Sequence, residues 1–140
     1  MADVLNNYAL DQRLQYTLGI GNLAIVPKLR LFVSDDTIAC DSSLLDLTAC
    51  TAGGYADVTL VPGNWVIDDS TDCIREASYG SVVFTLTDNG GGQTIYGHVV
   101  YDDEGSEILW GQTWTTPFEI PAGGGVVEVF PFWNEEQCSG

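Results

Sequence analysis

Residues 94–114, TIYGHVVYDDEGSEILWGQTW, constrain the fold more than any other part of the chain. Two runs rich in β-branched and aromatic residues, 95–101 and 108–114, flank an acidic segment that contains Gly105. Apolar arms around a polar loop with a glycine, which tolerates positive φ, are typical of a β-hairpin. Both faces of the first arm carry apolar side chains, so the hairpin is predicted to be central in a sheet and not a half-solvated edge.

Strict alternation assigns the side chains of this hairpin to faces. In the first arm Ile95, Val99 and Tyr101 should share one face, with Val100 on the other. In the second arm Trp110 and Trp114, four positions apart, should lie on the same side and supply a large contact area. Core packing is therefore the favoured interpretation of these two tryptophans.

The composition indicates one folded, strongly acidic domain. The chain has 140 residues, of which 45% are hydrophobic and 17% charged, and this balance excludes a disordered chain. The chain has four basic and 20 acidic residues, which gives a net charge of −16. Such a charge repels nucleic acid and anionic membranes, so neither is an expected partner.

The sequence shows no sign of export or membrane insertion. Its first residues, MADVLNNYALDQR, have neither a basic start nor an apolar core, and no apolar run approaches the ~20 residues of a membrane span. Synthesis in the cytosol is therefore expected. Cys40 and Cys50 bracket a short loop and would pair only in an oxidising medium, so reduced thiols are the first expectation.

An N-terminal helix is predicted over residues 2–18. Leu10, Leu14 and Leu18 are spaced four apart, and Val4 and Tyr8 extend the apolar stripe. Two interpretations remain open: the helix packs on its own domain as a lid, or it is an arm that docks on a partner subunit. The predicted organisation is a helix or arm over 1–21 and a single β domain over 22–140.

The rest of the chain is predicted to be all-β. Residues 28–34 alternate Leu29 and Leu31 with Lys28 and Arg30, a half-buried strand with two cations on one outward face. Residues 35–54 are predicted to form a long excursion, with either a short helical turn or a tucked loop around 44–47. About seven or eight short strands at this spacing are typical of an antiparallel β-sandwich, expected here with the short N-terminal helix.

No residue pattern predicts catalysis or a bound metal. The single histidine, His98, lies within the hairpin without a recognisable triad partner, so a packing role is favoured. Acidic clusters such as 102–107 match no EF-hand spacing and are interpreted as solvated turns. No CxxC pair marks a zinc site, and we expect a non-enzymatic protein without a cofactor.

Trp65 and Trp133 are less constrained by the pattern than the hairpin tryptophans. They would be interfacial or would form a platform on which sugar rings stack. The last strand, 126–133, has two apolar faces, and its Pro131 places that end at a sheet edge or outside a ladder.

The order KLRLFVSD, GGYADVTL, the hairpin and a terminal VVEVFPFW resembles small virion structural proteins of tailed bacteriophages, over residues 29–133. The cysteine loop 40–50 and His98 depart from that pattern. The resemblance implies a jelly-roll-like sandwich and a capsid decoration (cement) protein, made in the host cytoplasm and placed on the virion surface. Its implied partners are the major capsid protein and further copies of the chain, most commonly as a trimer.

A compact, non-repetitive domain favours decoration over a fibre, which would more often show repeats or a coiled coil. The alternative is a tail-fibre, receptor-binding or carbohydrate-binding module. The residues expected to form a partner interface are Val4, Tyr8, Leu14, Lys28, Arg30, Trp65, Phe130, Phe132 and Trp133.

Overall fold

The computed structural model describes residues 4–5, 27–68, 74–103 and 107–136. These residues form antiparallel β-sheets with two short 3-10 helices, Leu44–Asp46 and Pro62–Asn64, so the predicted all-β class is confirmed. The strands are β1 (Val4–Leu5), β2 (Pro27–Phe32), β3 (Val58–Thr59), β4 (Val66–Asp68), β5 (Ile74–Ser78), β6 (Val82–Leu86), β7 (Thr94–Asp102), β8 (Glu107–Glu119), β9 (Gly125–Val129) and β10 (Phe132–Glu136).

The predicted hairpin is the centre of the largest sheet. Strands β7 and β8 pair antiparallel from Thr94 opposite Glu119 to Asp102 opposite Glu107, and the sheet runs in the order β1-β8-β7-β2-β3. Strand β7 has a neighbour on both sides, which satisfies its backbone groups and leaves only its two faces to be covered. The prediction of a central, doubly covered hairpin is therefore confirmed.

Strict alternation does not hold along the hairpin, because its ladder has irregularities between Ile95 and Gly97 and between Val100 and Tyr101. Val100 pairs with Trp110 whereas Tyr101 pairs with Ile108, so one residue of β8 has no partner residue in β7. As a result Ile95 packs in the same cluster as Val100, and not with Val99 and Tyr101 as alternation predicted.

Two apolar clusters cover the two faces of the central sheet. The larger one joins side chains of β2, β7 and β8 to those of β6 and β9, among them Leu29, Val100, Trp110, Phe84 and Val127. The smaller one packs β2, β7 and β8 against the excursion that follows β2, and consists of Phe32, Ile38, Leu44, Leu47, Val99, Tyr101 and Ile108. The excursion therefore completes the core, and the predicted helical turn within it is the first 3-10 helix.

Strands β5 and β6 run beside β10 and β9 as one long, offset pair, and together with β4, which pairs with β5, they form what we call the ribbon. Ser78 faces Phe132 in the β5/β10 ladder, and Val82 faces Val129 in the β6/β9 ladder. Three residues separate the ladders on one side and two on the other, and Gly80 absorbs the difference with φ +95°. The Tyr79 amide donates to the Pro131 carbonyl at 3.1 Å and holds the junction together.

The first strand corrects part of the N-terminal prediction. Val4 and Leu5 are extended and pair with Gly111 and Trp110 of β8, so these two residues belong to the sheet and not to a helix. Edge pairing satisfies backbone groups of β8 that a helix would have left free. The other residues of the predicted helix and of the 1–21 arm lie outside the described residues.

Candidate functional site

Three of the four tryptophans meet in an aromatic cluster on the inner side of the ribbon. The Trp110 ring lies 5.9 Å from that of Trp65 and 5.1 Å from that of Trp133, and Tyr79 lies 5.1 Å from Trp65. Such tilted and edge-on arrangements are the ones that aromatic rings prefer. The hairpin supplies Trp110, the ribbon supplies Trp133 and Tyr79, and the segment before β4 supplies Trp65.

Trp110 is the buried centre of this cluster. Its side chain is only 4% exposed, and its Nε1 has no hydrogen-bond partner among the described residues. Trp65 and Trp133 are half-buried and pack against the core at either side of it. The predicted core position of Trp110 is confirmed, whereas Trp65 and Trp133 lie at the rim of the core and not on a free platform.

The outer side of the ribbon carries most of the exposed large apolar side chains of the described residues. Five of the seven, with exposures between 39% and 64%, lie there, and we call them the outer stripe: Val66, Val83, Val126, Phe130 and Phe132. Val66 and Phe132 both face Ser78 from opposite sides, so they share one row of the sheet. Thr85 and Glu128 stand opposite Val126 and Val83 in the β6/β9 ladder.

Alternation in the segment 126–133 produces this stripe. Val127, Val129 and Pro131 are buried and Trp133 is half-buried, while the residues between them point to solvent. The sequence VVEVFPFW places apolar side chains at inward and outward positions alike, and only one side can face the core. Phe130 and Phe132, which were predicted as interface residues, are therefore exposed.

Along β6 and residues 126–133 the outer stripe is poor in charge, since Glu128 is the only charged residue there on a chain whose net charge is −16. At the other end of the stripe, Asp68 and Glu76 face each other beside Val66 in the β4/β5 ladder. An apolar surface on a strongly acidic molecule is the kind of feature that marks an interaction site, since charges are depleted at the centre of interfaces.

Arg30 is held inside its own chain. Its Nε and Nη2 donate to Asp57 Oδ2 at 3.0 and 2.8 Å, and Tyr101 donates to the same oxygen at 2.6 Å. Tyr55 donates to the other oxygen of Asp57 at 2.7 Å and accepts from the Leu31 amide. This network ties β2 and β7 to the segment before β3.

The electrostatics of the network follow from that geometry. Burial alone would raise the pKa of Asp57, but hydrogen bonds from Arg30, Tyr101 and Tyr55 outweigh it and hold the pKa below its usual range. Burial and the bond to Asp57 raise the pKa of Tyr101 to about 12. Lys28 also has a partner in its own chain, Asp103, at 3.6 Å. Both predicted interface cations thus lie in intrachain ion pairs.

His98 is a packing residue in this structure. It is buried in the central sheet, and its Nδ1 accepts a hydrogen bond from the Trp114 indole at 2.9 Å. That bond requires an unprotonated Nδ1. Burial lowers the pKa of His98 to about 4, so the imidazole is neutral at pH 7.

One acidic turn residue, Asp88, is engaged with backbone groups of its own chain. Asp88 accepts the Gly53 and Gly90 amides, each at 2.8 Å, and these two bonds lower its pKa. Among the described residues no group of three or more histidine, cysteine or acidic side chains is placed to hold a metal ion. Cys40 is exposed, Cys50 is buried, and both are free thiols. In the same part of the chain, no helix is long and apolar enough to cross a membrane.

The predicted interface residues are therefore dispersed. Phe130 and Phe132 lie together on the outer stripe, Trp65 and Trp133 lie behind it, and Lys28 and Arg30 lie on the other sheet. Val4 joins β8 through its backbone, and Tyr8 and Leu14 lie outside the described residues. Sequence reasoning missed Val66, Val83 and Val126; for Val83 the available signal was its alternation with the buried Val82 and Phe84.

Comparisons of the chain with family models, with curated proteins and with solved structures found no match. The functional argument therefore rests on the geometry described above and on the resemblance of residues 29–133.

Proposed function

We propose that this chain is a structural protein of a tailed-bacteriophage virion. Its role would be that of a capsid decoration protein, which binds adjacent major capsid protein subunits on the head exterior and stabilises them. The proposal is non-enzymatic and needs no cofactor, nucleic acid or membrane.

The observation that carries the proposal is the outer stripe. Five exposed apolar side chains on one face of a small acidic domain need a protein surface to cover them, which a coat of neighbouring copies on a capsid provides. The acidic remainder of the surface keeps such a protein soluble at the high copy number that a capsid coat requires. The resemblance supplies the identity of the partner, the major capsid protein, and the expectation of a trimer.

The finer fold assignment belongs to the same proposal. We infer a jelly-roll-like β-sandwich, in which the ribbon packs on the larger cluster and faces the central sheet. The larger cluster supports this arrangement, because it contains Leu29 and Val100 of the central sheet together with Phe84 and Val127 of the ribbon.

A second candidate function has one observation in its favour. Trp65 and Trp133 are half-buried beside Trp110, whose Nε1–H has no partner among the described residues. A half-exposed aromatic rim would suit a sugar ring, as in a tail-fibre or carbohydrate-binding module. Trp65 and Trp133 both pack against Trp110, so each ring has less free surface than a sugar-binding platform needs. Capsid decoration is therefore the first proposal.

Location on the particle tests the first proposal. Immunogold labelling and cryo-electron microscopy of the phage that carries the chain should place it in a regular array on the head exterior, in contact with neighbouring capsid subunits. Label confined to the tail would favour the second candidate. Purified particles that lack the chain altogether would overturn both.

A further inference from the structure

We propose that the outer stripe is the surface through which copies of this chain associate with one another. The inference rests on the proposed function, in which the chain is an oligomer, and it adds the surface and the forces. It starts from the concentration of exposed apolar groups on the ribbon, where five of the seven in the described residues lie.

The exposed apolar area of the stripe suits an interface with a second copy of the chain. Its five side chains expose roughly 400–500 Å² if a phenylalanine carries about 200 Å² and a valine somewhat less. A standard interface buries about 800 Å² on each partner, so the stripe would form the apolar centre of such an interface and its polar neighbours the rim. Closed symmetry then buries the same stripe on every copy.

Charge selects this face for contact between copies. Each chain carries −16, so two copies repel over most of their surfaces. Along β6 and residues 126–133 the stripe holds one carboxylate, Glu128, so a second acidic copy meets little opposition there, whereas Asp68 and Glu76 lie beside Val66 at the other end. Lys28 and Arg30 are already paired with Asp103 and Asp57, so ion pairs between copies are not available from them.

An apolar stripe on chains of like charge determines whether added salt strengthens or weakens their association. Apolar contact drives the association and like charge opposes it, so added salt should strengthen it by screening the repulsion. A partner with a basic rim would show the opposite dependence, because salt would weaken its attraction to the acidic chain.

Sedimentation equilibrium of the full chain tests the inference, over a protein concentration series at about 50, 150 and 500 mM NaCl. The wild-type protein should associate, and more tightly at the higher salt. The double variant Val126→Ser/Phe130→Ser should weaken association at least tenfold, a loss of about 1.4 kcal/mol or more. Leu45→Ser, which also truncates an exposed side chain (94%) but lies off the stripe, should leave association unchanged.

A charge variant supplies an independent measurement. Glu128→Gln should tighten association more than Glu119→Gln, which removes the same charge from an exposed position at the end of β8. Circular dichroism would establish that each variant is folded. A wild-type monomer at every salt and concentration, equal weakening by Leu45→Ser, or equal effects of the two glutamate variants would each overturn the inference. Labelling of the head in the particle experiment would still support the virion proposal in that case.

Discussion

The Trp110 side chain joins the central sheet to the ribbon. It pairs with Val100 and Leu5 in the central sheet and contacts Trp65 and Trp133 on the ribbon side. Because the Trp110 side chain contacts so many neighbours, they cannot all move inward to fill its place. Its loss should therefore leave a large cavity.

We predict that Trp110→Ala lowers the free energy of unfolding by roughly 3–5 kcal/mol, the range of large aromatic truncations in cores. Trp110→Phe should cost far less, under about 1.5 kcal/mol, since it keeps an aromatic ring and removes an unpartnered N–H. Urea titrations of the three proteins would measure this. A loss below about 1 kcal/mol for Trp110→Ala would contradict the assigned burial.

His98 should make stability depend on pH. Its pKa is about 4 in the fold and about 6.5 when unfolded, so the unfolded chain binds the extra proton between these values. Stability from this residue is complete above about pH 6.5 and is lost as the pH falls toward 4, by about 3 kcal/mol in all.

The variant His98→Gln, which keeps an acceptor for Trp114, isolates this effect from the many carboxylates. Unfolding free energies of both proteins would be measured from about pH 7 to 4.5, a range in which the contribution of His98 to stability changes. The difference between the two curves should shrink or change sign as the pH falls. Parallel curves would show that His98 does not titrate as its burial requires.

At the scale of elements, the close packing of β7 on its neighbours depends on a residue without a side chain. A Cβ at Gly97 would lie 2.7 Å from Phe32 Cζ and closer still to the Gln112 carbonyl oxygen. Both atoms belong to strands paired with β7, so neither can withdraw without distorting the sheet.

Gly97→Ala should therefore destabilise the protein by about 1–3 kcal/mol through overpacking. Gly123→Ala is the matched control, because no heavy atom lies within 4 Å of its added Cβ. Its effect should stay within about 0.5 kcal/mol. Thermal and urea unfolding would compare the two, and equal effects would refute the steric explanation.

The sequence was sufficient to predict the elements with a strong local signal. The hairpin could be identified because two β-rich arms flank a polar turn, and the buried Trp110 could be inferred from the apolar character of both faces. Alternation failed at the irregular pairs near Ile95 and Val100, since a register shift depends on the partner strand and has no signature in one arm alone.

The candidate surface was predicted only in part, for a related reason. Phe130 and Phe132 come from one run that any alternation argument divides into two faces. Val66 and Val83 join them only because β4 and β6 pair with β5 and β9, and such long-range pairing cannot be read from composition. Val4 was assigned to a helix from its spacing to Tyr8, whereas pairing with β8 decides its extended conformation.

At the scale of the whole molecule, the excess of acid raises the question of bound cations. Asp88 accepts backbone amides and Asp103 faces Lys28, and among the described residues no group of three or more histidine, cysteine or acidic side chains is placed to hold a metal ion. We therefore predict that EDTA changes the melting temperature by less than about 2 °C, a shift that corresponds to well under 1 kcal/mol. Sodium sulfate of matched ionic strength is the control for screening. A fall of many degrees that added Ca²⁺ reverses would establish a required metal.

The junction of β9 and β10 has a consequence for the behaviour of many copies at close quarters. Among the described strands, β9 pairs only with β6 and β10 only with β5, so one long border of the ribbon has free backbone groups. The ladder is irregular along that border between Val129 and Phe132, and Glu128 adds a charge nearby. We therefore expect crowded copies to stay as discrete particles and not to grow into fibrils by uninterrupted cross-β stacking along this border. Glu128→Val would remove the charge, and thioflavin fluorescence that rises on prolonged incubation of that variant, but not of the wild-type chain, is the expected result.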